Sequence, residues 1–196
     1  MQGGQIYRAL TASTHTDISQ DVDHPLPPGF RLIRVDGRIA GDREYEFALL
    51  DDDSKDVAYY LALSAVTISA ACPEAVGGHA YRSTYHPHRE AASGLTRHII
   101  DYALRRHVVI LSDGNQSAGG PFTWQSQVSA AMSAGARAYV YTEDHIQEIA
   151  SPEVVHELIS RTWLTTPTRS TVVLLSNSEL PPNANYRIPP TFIEHM

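Results

Sequence analysis

Residues 85–104 read Tyr-His-Pro-His-Arg-Glu-Ala-Ala-Ser-Gly-Leu-Thr-Arg-His-Ile-Ile-Asp-Tyr-Ala-Leu, and this stretch decides the fold. Its pattern predicts an extended, proline-containing segment, then a tight turn of small residues at 91–94, then an amphipathic helix. Small side chains let a ligand approach the backbone closely. The first amides of a helix are unpaired and lie at its positive end, where they suit phosphate oxygens.

Length and composition indicate an ordinary globular protein. The chain has 196 residues, of which 42% are apolar and 19% charged, so one domain with a sizeable core is expected. A net charge of −7 argues against a broad basic face for nucleic acid or an anionic membrane. Cys72 is the single cysteine, which excludes an internal disulfide and a cysteine-based zinc site. No signal segment and no membrane-length apolar run is found, which predicts a cytoplasmic protein.

The first half of the chain predicts an antiparallel meander. Residues 1–28 form an N-terminal segment without a strong period, in which 5–10 could be a first strand. The apolar run 30–35 ends at the turn pair 36–37, and residues 45–49 then alternate like a strand with one face toward water. Three adjacent aspartates at 51–53 suggest a solvated hairpin tip, and alternation resumes at 57–63.

The second half predicts alternating helices and strands. An extended piece at 79–85, after the glycine pair 77–78, leads to the helix of the opening stretch. Buried strands are expected at 108–111 and 172–175, a further strand at 138–141, and helices at 121–134 and 152–163. The fold class is α/β, a mixed and mainly antiparallel sheet flanked by helices. We expect one domain at 29–180 and an irregular, proline-rich tail at 181–196.

The spacing Arg89-x-x-Ala92-x-Gly94 resembles the pyrophosphate loop of the GNAT superfamily of N-acetyltransferases, usually Arg/Gln-x-x-Gly-x-Gly/Ala, with Ala92 in place of the first glycine. The predicted element order from about residue 30 to about 176 also matches that fold. More specifically, the chain is similar to small acetyltransferase-like proteins of phages and bacteria. That likeness rests on a strand ending in Ser-Asp, a Gln-Ser and Gly-Gly loop, and a Trp that starts the next helix: Ser112, Asp113, Gln116, Ser117, Gly119, Gly120 and Trp124.

The resemblance implies an acyl-CoA donor, acetyl-CoA first of all, and a sheet splayed between its fourth and fifth strands. The cofactor-binding residues would be Ser83 and Tyr85 beside the pantetheine arm, Trp124, and the turn itself, which comprises Arg89, Glu90, Ala91, Ala92, Ser93, Gly94 and Leu95. The acceptor would be a small-molecule amine, another small nucleophile or a partner protein. Neither a metal nor direct nucleic-acid or membrane contact is implied, and a homodimer is left open.

Acyl transfer needs a base for the nucleophile, donors for the oxyanion and a proton for the leaving thiolate. Asp113 is the best candidate base, and Ser112 could hydrogen-bond the oxyanion or thiolate. The family often uses a Tyr acid near the start of the next helix, where this chain carries Phe122 and Trp124.

Other interpretations stay open. Asp113 could cap a loop, and 89–95 could be a plain strand-to-helix turn. The glycine-rich loop 113–120 could be a nucleotide site, although Gly-x-Gly-x-x-Gly is absent. The histidines at 79, 86 and 88 lack the ligands that a zinc site needs. The chain could also be a non-catalytic binding or inhibitory protein that retains the fold and derives from a phage.

Overall fold

The computed structural model describes residues 3–39, 43–112, 120–142, 145–155, 157 and 172–194, and of these the side chains at 79, 120–124 and 194 are not described. The chain forms a mixed α/β structure whose sheet is mainly antiparallel. It divides into two compact units, one of residues Met1–Ala65 and Gly78–Tyr102, the other of Val66–Gly77 and Ala103–Met196. The predicted α/β class is therefore confirmed.

The first unit contains helices α1 (Gly3–Ala12) and α2 (His86–Ala91) and most of α3 (Leu95–Leu104). Its strands are β1 (Thr16–Asp17), β2 (Phe30–Asp36), β3 (Glu44–Asp51), β4 (Asp56–Val66) and the later part of β5 (Ala75–Arg82). Neighbouring strands pair in the order β1-β2-β3-β4-β5, so the predicted meander is confirmed. The proposed strand at 5–10 is wrong, because those residues lie in α1. Tyr7 and Leu10 of α1 are buried in a core with Ile33, Ala48 and Leu50, so helical periodicity provides the apolar face.

Both faces of β3 are covered, which corrects the prediction of one face toward water. Ala48 and Leu50 lie in the core cluster that includes α1 residues, while Phe47 on the opposite face meets the edge of the Tyr102 ring of α3. Six of the eight β3 residues are consequently buried. Alternation in the sequence records only that small and polar residues occupy one face, not whether a distant helix covers that face.

The strand β5 begins earlier than predicted, and the glycine pair 77–78 lies inside it. A Cβ at Gly78 would collide with the carbonyl oxygen of Ala62 on β4, so the close approach of the two backbones requires glycine. Ser83 N–H donates to the Ala58 carbonyl at 3.0 Å. The strands β4 and β5 therefore run antiparallel, with Gly78 beside Ala62 and Ser83 beside Ala58.

The second unit contains β6 (Val108–Ser112), α4 (Gly120–Ser133), β7 (Arg137–Thr142), β8 (His145–Glu148), β9 (Val172–Ser176) and α5 (Pro190–Glu194). Its strands follow the order β6-β9-β7-β8, all antiparallel, and the start of β5 pairs parallel with β6 at Ala75–Val108 and Val76–Val109. The predicted strands and the 121–134 helix are confirmed, and β8 was not predicted. Of the predicted helix 152–163, residues 152–155 and 157 are described and helical.

The proline-rich segment after β9 is part of the core of the second unit. Leu180, Tyr186 and Ile188 are buried among strand residues, although no regular structure covers 181–189. The Tyr186 hydroxyl donates to the Pro181 carbonyl at 2.8 Å, and the Ile188 amide donates to the Tyr141 hydroxyl at 3.2 Å. The prediction of an irregular segment holds for 181–189, whereas residues Pro190–Glu194 form α5.

Candidate functional site

The segment that follows β5 is helical where an extended chain was predicted. α2 (His86–Ala91) has Pro87 in its first turn, where a proline ring is compatible with helical φ and the missing N–H has no partner to lose. Arg89, Glu90 and Ala91 therefore lie in this helix rather than in the turn. The turn itself comprises residues 92–94, and α3 begins directly after it.

The predicted turn residues divide by exposure. Ala91 and Ala92 are each 3% exposed and Leu95 is fully buried, so these three face the protein interior. Arg89, Glu90, Ser93 and Gly94 are exposed. Gly94 has a φ of +77°, and no atom of the described residues, its chain neighbours aside, lies within 4 Å of the position that a Cβ would take. A glycine is needed there for its conformation, and the space around it is open.

Backbone hydrogen bonds already engage several amides of the turn. The amides of Ala92, Ser93, Leu95 and Arg97 donate to the carbonyls of His88, Glu90, Ala92 and Gly94 at 2.9–3.2 Å. A phosphate bound here would consequently depend less on these four amides. It would depend more on the positive end of α3 and on nearby cationic side chains.

The first turn of α3 is basic. It contains no acidic residue, and Arg97 lies within it. Arg82, at the end of β5, donates to the Thr96 hydroxyl at 2.7 Å, and its guanidinium centre lies 5.8 Å from the Tyr59 ring centroid. Among the residues that the structure describes, Arg82, Arg89 and Arg97 form no ion pair. Arg82 and Thr96 were missed in the sequence, because the contact joins a strand end to a helix across 14 residues.

Ser83 and Tyr85 surround a buried histidine. His88 is 1% exposed, with Nδ1 at 3.0 Å from Ser83 Oγ and Nε2 at 3.1 Å from Asp51 Oδ2, and the Tyr85 ring meets the imidazole edge-on at 4.9 Å. Hydrolase triads use the same three residue types. Here, however, Ser83 Oγ also accepts the Tyr85 amide, at 3.2 Å, and the imidazole is enclosed. The chain of bonds therefore fixes α2 to the end of β3.

The acidic hairpin tip is anchored by its first two aspartates and exposed at its end. Burial alone would raise the pKa of Asp51, but hydrogen bonds from Ser54, His88 and Asp53 outweigh it and lower that pKa. Asp52 accepts from Arg31 at 2.7 Å and from the Tyr7 hydroxyl at 2.6 Å. Asp51 and Asp52 hold the β3–β4 turn against neighbouring elements of the first unit, whereas Asp53, Ser54 and Lys55 are exposed. The predicted hairpin tip is therefore present, and its solvated part is limited to residues 53–55.

The predicted catalytic residues are only partly visible. Ser112 is the last residue of β6, half-buried and paired in register with Val172. Asp113 lies outside the described residues. Trp124 lies in α4, whose backbone is helical there, and its side chain is among those not described.

A second polar group, not anticipated from the sequence, lies in the first unit. Glu46 of β3 is 1% exposed and accepts two hydrogen bonds from Arg38, at 2.8 Å from Nε and 2.5 Å from Nη2, and one from the Tyr60 hydroxyl at 2.5 Å. Arg38 and Tyr60 also line a cavity of about 530 Å³ between α1 and the strands β4 and β5. Glu46 was placed on the water-facing side of a strand, so its burial carried no signal in the sequence.

Three further observations complete the description. The described residues contain no group of three or more His, Cys, Asp or Glu side chains that could hold a metal ion. None of the described helices is long and apolar enough to cross a membrane. Comparison with known proteins gives no match, whether with models of protein families, with curated proteins or with solved structures.

Proposed function

We propose that this chain is an acyltransferase of the GNAT type. It would transfer an acyl group, acetyl first of all, from acyl-CoA to an amine or another small nucleophile. The order of elements supports this proposal: a meander, β5, the turn before α3, β6, α4, β7 and β9 follow one another as expected for that fold. The start of β5 pairs parallel with β6 over two residues, as this proposal requires of the strands that precede and follow the turn and α3.

The basic first turn of α3 is the observation that carries the proposal. Arg82, Arg89 and Arg97 have no carboxylate partner among the described residues, in a chain whose acidic residues outnumber its basic ones by 22 to 15. Two of these arginines lie at the N-terminus of α3, Arg82 through its hydrogen bond to Thr96 and Arg97 within the first turn, and cations in such a place favour a multiply charged anion. The pyrophosphate of coenzyme A has that chemistry.

Calorimetric titration with coenzyme A tests the donor half of the proposal. We expect Arg82→Met and Arg97→Met each to weaken binding by about threefold to tenfold, as for exposed charge-assisted contacts, and less at high salt. Arg89→Ala should act in the same direction. Arg8→Met removes an exposed arginine on α1 and is the matched control. If the Arg82, Arg97 and Arg89 variants all bind coenzyme A as tightly as wild type and the Arg8→Met control do, the anion site is elsewhere.

Gly94 provides a steric test of the same turn. Asn tolerates a positive φ better than most residues, so Gly94→Asn should fold, whereas a β-branched residue would strain the turn. The asparagine side chain would enter the open space that we assign to the pyrophosphate, so the affinity for coenzyme A should fall at least tenfold. Unchanged binding with an unchanged melting temperature would contradict the assignment.

Release of free thiol from acetyl-CoA with a panel of amines tests turnover. Asp113→Asn should lower turnover by about 10²-fold with little change in coenzyme A affinity if the carboxylate acts as base in the transition state. Ser112→Ala should reduce turnover less, because it removes one hydrogen-bond donor. Activity that falls only in proportion to folded protein would assign Asp113 to loop capping.

A non-catalytic binding protein is the second candidate. It is favoured by Phe122 and Trp124, which stand where the family often has a proton-donating tyrosine. Coenzyme A binding without thiol release on any amine would support this second function and exclude the first.

A further inference from the structure

The cavity between α1 and the strands β4 and β5 has the size and lining of a small-molecule site. Its volume is about 530 Å³, and most of its wall is apolar. Ligand pockets of 300–1,000 Å³ typically combine apolar walls with a few polar groups that fix orientation. The wall is assembled from three parts of the first unit: Gln5, Ile6 and Ala9 of α1, Arg38 and Ile39 after β2, and Tyr60, Ala62, Ala80 and Tyr81 of the two strands.

One end of this cavity is polar, and its side chains are hydrogen-bonded to one another. Arg38 holds Glu46 through two of its nitrogens, and Tyr60 donates its hydroxyl hydrogen to the same carboxylate. Burial and the adjacent Glu46 carboxylate raise the pKa of Tyr60, so its hydroxyl stays protonated. Arg38 keeps donors beyond those that Glu46 accepts, because a guanidinium carries five N–H groups. This end can therefore donate hydrogen bonds to a ligand.

The two formal charges at this end cancel each other. Of the described residues that line the wall, Arg38 alone is charged, and its ion pair with Glu46 neutralises it. An anionic ligand would approach Glu46, and a cationic ligand would approach Arg38. Either would lose its hydration without gaining a net opposite charge, which disfavours ions in a largely apolar site.

The rim of the cavity is unusually apolar. Among the described residues three large hydrophobic side chains are strongly exposed, and two of them, Ile39 at 57% and Tyr81 at 51%, line this cavity. Grouped, exposed apolar side chains at the edge of a concave site are typical of a surface that an apolar molecule covers.

We propose that this cavity binds an uncharged, mainly apolar small molecule that carries one hydrogen-bond-accepting group, such as a carbonyl, amide or hydroxyl oxygen. The apolar body lies against Ile6, Ala62 and Tyr81, and the accepting oxygen faces Arg38. This site uses none of the residues assigned to coenzyme A.

A matched pair of fluorescent probes tests the preference for an uncharged, apolar body. N-phenyl-1-naphthylamine is uncharged, and 8-anilinonaphthalene-1-sulfonate has the same ring skeleton with an added sulfonate. The uncharged probe should bind the full chain in a saturable manner, at least about tenfold more tightly than the sulfonate. Tighter binding of the sulfonate would overturn the proposed charge preference.

Variants that fill the cavity locate the probe. Ala80→Phe adds a ring at an exposed strand position, so the fold should survive, and Ala62→Phe fills the interior. Each should weaken binding of the uncharged probe at least tenfold, whereas Ala70→Phe, at an exposed position outside the cavity wall, should not. Equal binding by Ala80→Phe and Ala70→Phe would refute the site. Gly94→Asn should leave probe binding unchanged, so failure of the coenzyme A proposal would be visible separately.

Discussion

Replacing the exposed partner of the Arg38–Glu46 pair should destabilise the protein more than replacing the buried partner. Arg38→Met keeps most of the aliphatic stem but leaves the Glu46 carboxylate, 1% exposed, with Tyr60 as its remaining hydrogen-bond donor among the described residues. Glu46→Leu removes the buried charge instead. Arg38, whose side chain is 27% exposed, can then turn its guanidinium to water. Burial alone would predict the opposite order of effects.

The magnitudes follow from what each change leaves behind. Removing one partner of a fully buried pair costs about 3–5 kcal/mol, and the partial exposure of Arg38 reduces our expectation to about 2–3 kcal/mol. Glu46→Leu deprives the Tyr60 hydroxyl of its acceptor, which costs about 1 kcal/mol. The double variant should resemble Glu46→Leu, since no unpaired charge stays buried. The coupling energy would then equal the cost of Arg38→Met, about 2–3 kcal/mol.

Urea unfolding followed by far-ultraviolet circular dichroism measures these differences. The chain has two compact units, so a two-state fit is used only if the unfolding transition followed by a second probe coincides with that followed by circular dichroism. Amide hydrogen exchange in β3 and β4 provides that probe and localises the effect. Equal or larger destabilisation by Glu46→Leu than by Arg38→Met would refute the reasoning.

Three further changes test the first unit. Gly78→Ala should cost about 2–4 kcal/mol, because its Cβ collides with the Ala62 carbonyl; a melting temperature within a degree of wild type would contradict the close approach. Burial raises the pKa of Tyr59, so above about pH 10 the native state keeps a proton that the unfolded state releases. The free energy of unfolding should therefore fall above this pH, and it should fall less steeply in Tyr59→Phe. Tyrosinate absorbance during unfolding measures the difference. Burial would raise the pKa of Asp52, but hydrogen bonds from Arg31 and Tyr7 lower it; its stabilisation is therefore present above the ordinary pKa of about 4 and lost as pH falls through the lower native value. Acid unfolding of Asp52→Asn should show a shallower pH dependence than that of wild type, and identical curves would exclude this role.

Local pattern was sufficient for most of the elements. Alternation predicted β3 and β4, continuous apolar runs predicted β6 and β9, and the spacing of Leu95, Ile99 and Tyr102 predicted α3. These signals work because the period of side-chain burial is set by the backbone geometry of a single element. The α/β class follows from the same elements.

Local pattern failed where the same residues are compatible with two conformations. Pro87 was interpreted as part of an extended segment, yet it occupies the first turn of α2, which a proline also suits. Residues 5–10 fit a short strand as well as a helix, and the burial of Tyr7 and Leu10 against β2 and β3 selects the helix. In both places packing against other elements decided the conformation.

The candidate sites divide in the same way. The glycine turn before α3 was visible in the sequence because its residues are adjacent, whereas Arg82 reaches Thr96 from a different element. The cavity and the buried Glu46 depend on residues 5–9, 38–39, 46, 60–62 and 80–81, which lie in separate segments of the chain. No local period records which distant segment will cover a strand face. Only the tertiary structure, which brings those segments together, decides where a charge is buried and where a cavity remains.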